Sequence, residues 1–600
     1  MQLVEQYVLL YAGCRAQAGR PLEISLTDVA EALFCTQRNA TLTLKKMQSQ
    51  GWIRWQSGRG RGHRSVLTCL LTPDELVLSA AKELVQRGEI HASRKLIDAY
   101  REQWHGLGEA YSRWMTSQFG LHRLREKGNG VRMDTLRFFV DRPFSDLDPV
   151  RAVLRSQTHL AKHIFDTLVR FDPQTGAITG QLAFAWECDR LGKEWVFTLR
   201  KGVLFHHGRQ LAADDVCFSL QRLAKEPSRH RWLAQSIHSV RALDEYAVAV
   251  ALNEPDQLFL HALSKEYASI VPREYVTESS EAFAAWPIGT GPFKVVRNDT
   301  SMLALEAFQP YFAGRPFLDR VELWCVPGGM HVDTANDELQ LVRAAIGEQE
   351  TGRLGTAWRG LSRREQCFQY VSFNSAKPGP LRQPAFRAAL ASMIQGERMR
   401  AELKGARQPV EAWGELLTLR SVHQPGGEEA AISWSGVGYE GETLLLYTYP
   451  DPDHAEDAEW IRESCAKAGI TVEIVYALPE ELARPQVLQA ADLVVDSANV
   501  DERLELSLLE FVFAEALSIW HHLDEQAKKE MRQRAMDLRG ARTDSERSAQ
   551  MKSMLAALQA RHTFVPLYSN RLEMRAHPRL SGISMDAFGW IDFSRAFVRV

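Results

Sequence analysis

The sequence contains little that would direct the chain into a membrane or out of the cell. Residues 1–13 have no basic segment followed by a continuous apolar segment. No uninterrupted apolar stretch approaches the roughly 20 residues that a membrane helix needs. We therefore expect neither an export signal nor a membrane span, and we predict a cytoplasmic location.

Cysteines are few and dispersed, and signatures of catalysis are absent. The eight cysteines include no Cys-x-x-Cys pair, which argues against a zinc ribbon or a dithiol redox site. His206 and His207 are adjacent, but two neighbouring side chains in a turn point in different directions and form a poor metal site. Nucleophile elbows, phosphate-binding loops and zinc-protease helices are also missing. We predict no metal, no cofactor and no enzymatic activity.

The chain has enough apolar material for two or three folded domains. It contains 600 residues, of which 45% are hydrophobic and 24% are charged. The formal net charge is -3, so the chain as a whole does not attract nucleic acid. Residues 1–72, however, carry nine Lys and Arg against four Asp and Glu. A local positive patch of this kind is typical of DNA-binding domains.

The pattern of residues 1–72 predicts a winged helix-turn-helix domain. After a first amphipathic helix, Ser25 or Thr27 can cap a second helix and Thr36 can cap a third. Residues 52–55 and 65–68 then read as the two strands of a hairpin. This geometry inserts one helix into the major groove of DNA and lays a basic wing along the phosphates.

Polar residues of the third helix can reach base edges, and arginines separated by glycines can clamp phosphates from the wing. The predicted DNA contacts are Thr36, Gln37, Arg38, Asn39, Thr41, Lys45, Arg59, Arg61, His63 and Arg64. The alternatives are an ordinary three-helix unit and a solvated loop. Phe34 also occupies a turn position at which helix-turn-helix proteins often have glycine.

Residues 73–130 form a charged helical pattern, which we predict to be a spacer with helices at 74–87, 92–104 and about 109–125. From residue 131 onward, short strands and helices alternate to the end of the chain. The fold class predicted is therefore multidomain, with an all-α winged helix followed by a larger α/β domain.

Consecutive sequence blocks in residues 131–600 resemble the extracellular solute-binding proteins of family 5. The blocks include 163–173, 195–203, 213–216 and the Pro-Ile-Gly-Thr-Gly-Pro segment at 287–292. The resemblance implies a two-lobed fold of the periplasmic-binding-protein type, class II, with a ligand enclosed between the lobes. We expect lobe 1 at about 131–335 and 566–600, and lobe 2 at about 336–565.

The resemblance also implies where a ligand would bind. Related binding proteins use backbone groups, aromatic residues and an acidic residue near the segment equivalent to 492–501, which makes Asp496, Asn499 and Asp501 the ligand candidates. For each of them, a strand-end cap or a solvated loop is the alternative. Carboxylates suit an amine better than a phosphate, and the sequence does not identify the Arg or Lys that a sugar phosphate would need.

A winged helix of this type joined to such a domain resembles the SgrR family of transcriptional regulators. The Gly-Arg-Gly-Arg-Gly wing at 58–62 and Ser-Ala-Asn at 497–499 carry this likeness. It implies an activator that binds double-stranded DNA and senses a small molecule such as a sugar phosphate, a sugar or a peptide. One alternative is a transporter-type solute-binding protein without a regulatory role, which would need export. Another is a regulator whose solute domain has lost its ligand and serves as an oligomerisation platform.

Overall fold

A computed structural model describes most of the chain. The described residues are 2–58, 64–125, 132–140, 142–152, 154–173, 175–225, 230–326, 341–344, 359–364, 367–405, 407–410, 413, 434–576, 580–584 and 589–599. Within these ranges, no helix has both the length and the apolar character that crossing a membrane requires.

The first domain is a winged helix-turn-helix. Its elements are α1 (Gln2–Gly13), β1 (Pro21–Ile24), α2 (Leu26–Ala32), α3 (Gln37–Ser49), β2 (Ile53–Gln56) and β3 (Ser65–Cys69). Strand β3 lies between β1 and β2 in an antiparallel sheet. The three helices and the hairpin agree with the sequence prediction, whereas the short strand β1 was not predicted.

Local capping fixes where the two central helices begin. Ser25 rather than Thr27 caps α2, and its hydroxyl accepts the backbone N–H of Asp28. Thr36 caps α3 as predicted and accepts the N–H of Asn39 at 3.3 Å. In the turn between these helices, Phe34 adopts a left-handed backbone conformation with φ 51°. The turn is therefore tight although it has no glycine.

The segment predicted as a helical spacer contains α4 (Pro73–Gln86), α5 (Ile90–Tyr100), α6 (Leu107–Thr116) and a strand, β4 (Gly120–Arg125). The prediction of a helix reaching residue 125 is wrong. The chain extends after α6 because β4 pairs antiparallel with β5 (Arg132–Val140), and Leu121 enters the apolar core of the following domain. The end of this segment thus belongs to the sheet of lobe 1.

Lobe 1 contains two larger sheets, one two-stranded sheet and the helices around them. After β5 its elements are α7 (Arg155–Ile164), β6 (Val169–Phe171), β7 (Ile178–Gly180), β8 (Ala183–Cys188), β9 (Glu194–Leu199), α8 (Ala213–Lys225), α9 (Arg231–Ala234), β10 (Ile237–Asp244), β11 (Ala247–Leu252), α10 (Phe259–Leu263), α11 (Arg273–Glu278), α12 (Ser280–Ala285), β12 (Phe293–Asn298), β13 (Met302–Ala307) and β14 (Arg320–Cys325). The first sheet has the order β12-β13-β14-β5-β4, and the second has the order β10-β11-β9-β8.

Glycines in the segment before β12 allow it to lie against the end of α7. A Cβ atom on Gly289 would lie 1.9 Å from the carbonyl oxygen of Ile164, and one on Gly291 would lie 2.6 Å from the Ile164 carbonyl carbon. No side chain fits at either position. The contact holds α7, which supplies part of the cleft described below, next to the first sheet.

Lobe 2 is built on one large mixed sheet. Its elements are β15 (Leu341–Ala344), β16 (Arg359–Arg364), β17 (Phe368–Phe373), α13 (Pro384–Met393), α14 (Gly396–Leu403), β18 (Arg407–Gln408), β19 (Leu444–Thr448), α15 (Pro452–Lys467), β20 (Val472–Tyr476), α16 (Pro479–Leu482), α17 (Pro485–Ala490), β21 (Leu493–Ala498), α18 (Leu504–Phe513), α19 (Ser518–His522), α20 (Glu525–Gly540), α21 (Asp544–Ala560) and β22 (Phe564–Ala576). Short strands β23 (Leu580–Ser581) and β24 (Phe597–Val598) close the chain.

The last long strand stays with lobe 2. Strand β22 pairs with β17 and then with β16 as far as Ala576, beyond residue 566, where the sequence led us to expect lobe 1 to resume. The return to lobe 1 follows β22, since Leu580 and Phe593 are buried in the core of the first sheet.

The helical segment packs directly on lobe 1. Val77, Tyr111 and Met115 share one buried apolar cluster with Met302 and Trp324, which lie on β13 and β14. Val4 and Val8 of α1 belong to the same cluster. The winged helix, the helical segment and lobe 1 therefore form one continuously packed body.

Polar contacts strengthen this junction at its edge. The guanidinium of Arg297, at the end of β12, donates to the carbonyl oxygen of Gly88 at 3.1 Å. The imidazole of His91 donates to the carbonyl oxygen of Thr300 at 2.9 Å. Both bonds join the turn after α4 and the start of α5 to the β12–β13 hairpin.

The two lobes also meet over a wide apolar surface. Helices α18 to α21 share one buried cluster with the second sheet of lobe 1, and Leu538 and Phe259 are both fully buried in it. At the edge of this surface Arg539 pairs with Asp256 at 2.8 Å. The lobes are thus closed on each other around the cleft.

Candidate DNA-binding surface and ligand cleft

Helix α3 has one buried face and one exposed face. Its apolar residues Ala40, Leu44 and Met47 are buried in the core of the winged helix. The exposed residues of the helix include Arg38, Asn39, Leu42, Lys45 and Lys46. A helix that presents cations and amides outward from a winged helix has the geometry needed to enter the major groove.

The predicted contacts on α3 differ in how free their side chains are. Arg38, Asn39 and Lys45 are exposed and face away from the core. Gln37 donates through its side-chain amide to the hydroxyl of Thr27 at 2.9 Å, and the hydroxyl of Thr41 donates to the Gln37 carbonyl at 2.9 Å. These two bonds, with the Thr36 cap, tie the first turn of α3 to itself and to α2.

Only part of the predicted wing lies in the described chain. Arg64 is exposed directly before β3, and the hydroxyl of Ser65 accepts the N–H of Gly58 at 3.3 Å across the base of the loop. Arg59, Arg61 and His63 lie outside the described residues. Their DNA-binding role stays a prediction from the sequence.

The predicted DNA-binding surface did not include three exposed residues in or next to α3. Leu42 and Phe34 are exposed by 51% and 85% of their surface, although both are large apolar side chains. Lys46 is also exposed, one helical turn after Leu42. Residues one and two helical turns after Arg38, at the spacing of four, are Leu42 and Lys46. The sequence prediction missed them because it took only polar residues and ended at Lys45.

A polar pocket lies in the cleft between the lobes. Helix α7 and the turn at Glu266–Ala268 supply its lobe 1 side, while the end of β21 and helix α18 supply the other side. The pocket is lined by Pro149, Ala152, Arg155, Thr158, Lys162, His230, Lys265, Glu266, Tyr267, Asn499, Asp501, Glu502 and Glu510. Two of the three ligand candidates from the sequence, Asn499 and Asp501, are among them.

An ion pair crosses this pocket. The ammonium of Lys265 contacts the carboxylate of Asp501, and both side chains are largely buried. Burial raises the pKa of Asp501, but the lowering effect of Lys265 outweighs burial and leaves the pKa below its usual range. Burial lowers the pKa of Lys265, and Asp501 in turn raises it above its usual range. Both groups are therefore charged at neutral pH and connect the lobes.

The three ligand candidates have different surroundings. Asp501 also accepts the N–H of Arg503 at 2.9 Å, in the turn before α18. Asn499 accepts a contact from the thiol of Cys367 at 3.5 Å. Asp496 is buried outside the pocket lining and accepts the hydroxyl of Tyr449 at 2.6 Å.

The pocket contains the cations that the sequence could not identify. Arg155, Lys162 and Lys265 stand beside four carboxylates from Glu266, Asp501, Glu502 and Glu510. Lys162 lies 3.2 Å from Glu266. An anionic ligand would have to compete with these carboxylates for the three cations. A ligand that carries both a positive and a negative charge could bind the carboxylates and the cations together.

His206 does not form part of a metal site. Its Nδ1 accepts the N–H of Gly289, and its Nε2 donates to the carbonyl oxygen of Gly291 at 3.0 Å. Burial lowers the pKa of His206 to about 4, so the ring is neutral and both nitrogens hold the glycine turn. Across the described chain, no group of three or more His, Cys, Asp or Glu residues is arranged to hold a metal ion.

Comparison with known families covers both halves of the chain. Residues 2–119 match the model described as "Sugar transport-related sRNA regulator N-term". Residues 177–501 match the model described as "Bacterial extracellular solute-binding proteins, family 5 Middle". The first match spans the winged helix and the helical segment, and the second includes Lys265, Asn499 and Asp501 of the pocket.

Two curated relatives match almost the full length. The "Uncharacterized protein YhjP" of Bacillus subtilis is 36% identical and covers 99% of each chain. The "HTH-type transcriptional regulator SgrR" of Yersinia enterocolitica is 28% identical over 99% of this chain and 98% of its own.

Solved structures share the two-lobed fold. The periplasmic binding protein DppA of Helicobacter pylori, in complex with the peptide STSA, matches 77% of this chain and 98% of its own with a TM-score of 0.66 and 20% identity. The binding protein AgaA of A. tumefaciens R10, in complex with agropinic acid, matches 78% and 99% with a TM-score of 0.64 and 19% identity.

Fold and comparisons together define a class of protein, the transcriptional regulators in which a winged helix is fused to a solute-binding domain. The curated relative SgrR is named a transcriptional regulator, and the structural neighbours DppA and AgaA are named binding proteins. The chain belongs to the SgrR family of regulators and carries a solute-binding domain of family 5.

Proposed function

We propose that the chain is a cytoplasmic transcriptional activator that binds double-stranded DNA through α3 and the wing and is controlled by a small charged solute in the cleft. The observation that carries this proposal is the continuous apolar packing that joins the winged helix, through the helical segment, to lobe 1 of a solute-binding fold. Two surfaces with separate chemistry thereby belong to one body.

The DNA half of the proposal is supported by the exposed cations of α3, by the exposed Arg64 and by the arginines in the sequence of the wing. Replacing Arg59, Arg61 and Arg64 together with alanine should weaken binding to all duplexes and flatten the dependence of affinity on salt, because phosphate contacts release counterions. The measurement is the dissociation constant at several salt concentrations. An unchanged slope would remove the wing from the interface.

For the ligand half, we propose a sugar phosphate as the solute. Arg155, Lys162 and Lys265 supply cations for a phosphate group, and the name of the N-terminal family model refers to sugar transport. The carboxylates in the same pocket make a zwitterionic peptide the competing candidate. Calorimetric titration of the full chain with glucose 6-phosphate and with a dipeptide distinguishes the two.

A matched pair of lysine variants tests whether the pocket is the binding site. Lys162→Gln removes a cation that lines the pocket and lies 3.2 Å from Glu266. Lys193→Gln removes a lysine of similar exposure that lies 3.4 Å from Glu254, outside the pocket. We expect only the first variant to lose affinity for the ligand. Equal affinity in both variants would place the ligand elsewhere.

Control of DNA binding then depends on lobe 2. Because the winged helix is joined to lobe 1 through the packed helical segment, a ligand that favours the closed lobes changes the position of lobe 2 relative to the DNA-binding surface. We therefore propose that lobe 2 moves, and that the helical segment does not reposition the winged helix. Genomic footprinting in cells with and without sugar-phosphate loading tests both halves. A footprint that does not change with loading would refute the proposed inducer.

A further inference from the structure

The outermost residue of the proposed recognition helix is apolar. At about 100° per residue, Leu42 lies about 200° around the axis of α3 from the buried Ala40. Leu42 therefore lies on the side of α3 opposite the core, and 51% of its surface is exposed. Burial of α3 in its own domain is already complete through other residues, so Leu42 contributes nothing to that core.

The side chains around Leu42 indicate what covers it. Arg38 lies one turn before it on the same face, and Lys45 and Lys46 lie one turn after it; all three are exposed. A polyanion is the partner that suits an apolar tip flanked by cations at both ends. Within a duplex, the apolar group that the major groove presents to such a tip is the C5-methyl of thymine.

A second exposed apolar residue precedes the same helix. Phe34 is exposed by 85%, more than any other large apolar side chain in the described chain, and it holds a left-handed backbone conformation that disfavours non-glycine residues. Two large exposed apolar side chains within nine positions of the sequence are unlike the isolated exposed residues that soluble proteins normally carry.

We infer that Leu42 reads a thymine methyl group in the major groove and so contributes to the sequence specificity of the regulator. The inference rests on the proposed DNA-binding function and adds a base-reading residue to it. The neighbouring cations Arg38, Lys45 and Lys46 contact the phosphate backbone of the DNA. Leu42 distinguishes a thymine from a cytosine or a uracil at one position.

The test removes only the methyl group. Full-length chain enriches duplexes from a random-sequence library, and the enriched pool is then amplified with either dTTP or dUTP. We expect the wild-type chain to bind the thymine pool about 4-fold more tightly for each methyl that Leu42 covers, the factor that burial of one methyl group supplies. The variant Leu42→Ala should bind both pools equally.

Leu243→Ala is the matched control, because it shortens a leucine of β10 with 46% exposure. It should retain the wild-type preference for thymine. Equal sensitivity to methyl removal in wild type and Leu42→Ala would overturn the inference and leave DNA binding intact. A changed oligomeric state of Leu42→Ala in sedimentation would assign the residue to a protein interface and overturn it too. Failure to enrich any duplex would instead overturn the proposed function.

Discussion

The helical segment and lobe 1 share one apolar cluster, so a substitution in that cluster should lower the stability of both. Phe119 and Trp324 are both buried, and their rings meet edge to face with centroids 5.7 Å apart. Trp324 also donates its indole N–H to Glu322 at 3.1 Å and lies under the guanidinium of Arg137 at 4.9 Å. Replacing either aromatic residue with alanine should cost about 3–5 kcal/mol of unfolding free energy.

The two substitutions should not add. An edge-to-face pair contributes about 0.5–1.5 kcal/mol beyond its buried area, so the double variant should be less destabilised than the sum by that amount. Pulse proteolysis over a urea series, with fragments identified by mass, measures which part of the chain unfolds at each concentration. Trp286→Ala is the control, because Trp286 is exposed.

We expect Trp324→Ala to lower the urea midpoint of the N-terminal 119 residues as well as that of lobe 1. The reasoning would be refuted if the N-terminal part kept its wild-type midpoint while lobe 1 lost stability, or if the two substitutions added within about 0.3 kcal/mol.

Three further predictions follow from single sites. Burial lowers the pKa of His206 to about 4, below its value in the unfolded chain, so the stability that this group contributes is present above pH 6.5 and is lost as the pH falls to 4. In His206→Gln the free energy of unfolding, measured by urea titration at pH 6.5 and at pH 4, should fall by roughly 3 kcal/mol less between these pH values than in the wild type. Phe34→Gly should be about 1 kcal/mol more stable than Phe34→Ala, because only glycine relieves the left-handed strain; equal urea midpoints would contradict this. Lys265→Met should destabilise by about 3–5 kcal/mol by leaving Asp501 unpaired, and adding Asp501→Leu should restore part of the melting temperature; a further drop would argue against the ion pair.

Features determined by local sequence were predictable. Thr36 could be identified as a helix cap because its hydroxyl needs only the N–H of Asn39, three residues away. The β2–β3 hairpin was likewise predictable, since its strands are neighbours in the chain. Strand β4 was not, because its extended conformation depends on pairing with β5 and on the apolar core behind it rather than on its own pattern.

The cleft shows the same limit at longer range. Resemblance to binding proteins pointed to Asn499 and Asp501, which both line the pocket, and to Asp496, which does not. The cations were missed because Lys162 and Lys265 come from separate parts of lobe 1, and nothing in their local sequence indicates that they face Asp501. Only the closed arrangement of the two lobes brings these charges together.

The continuous packing of α1 on α4, and of α4–α6 on β13 and β14, limits how such a regulator can be recombined. A hybrid gene joined after Thr72 would set a foreign α1 against the native α4, and one joined after β4 would set foreign helices against Met302 and Trp324. Neither crossover preserves a complete interface. We therefore expect the winged helix and the solute-binding domain to be exchangeable only together, in keeping with relatives that align over 99% of the chain rather than over one half.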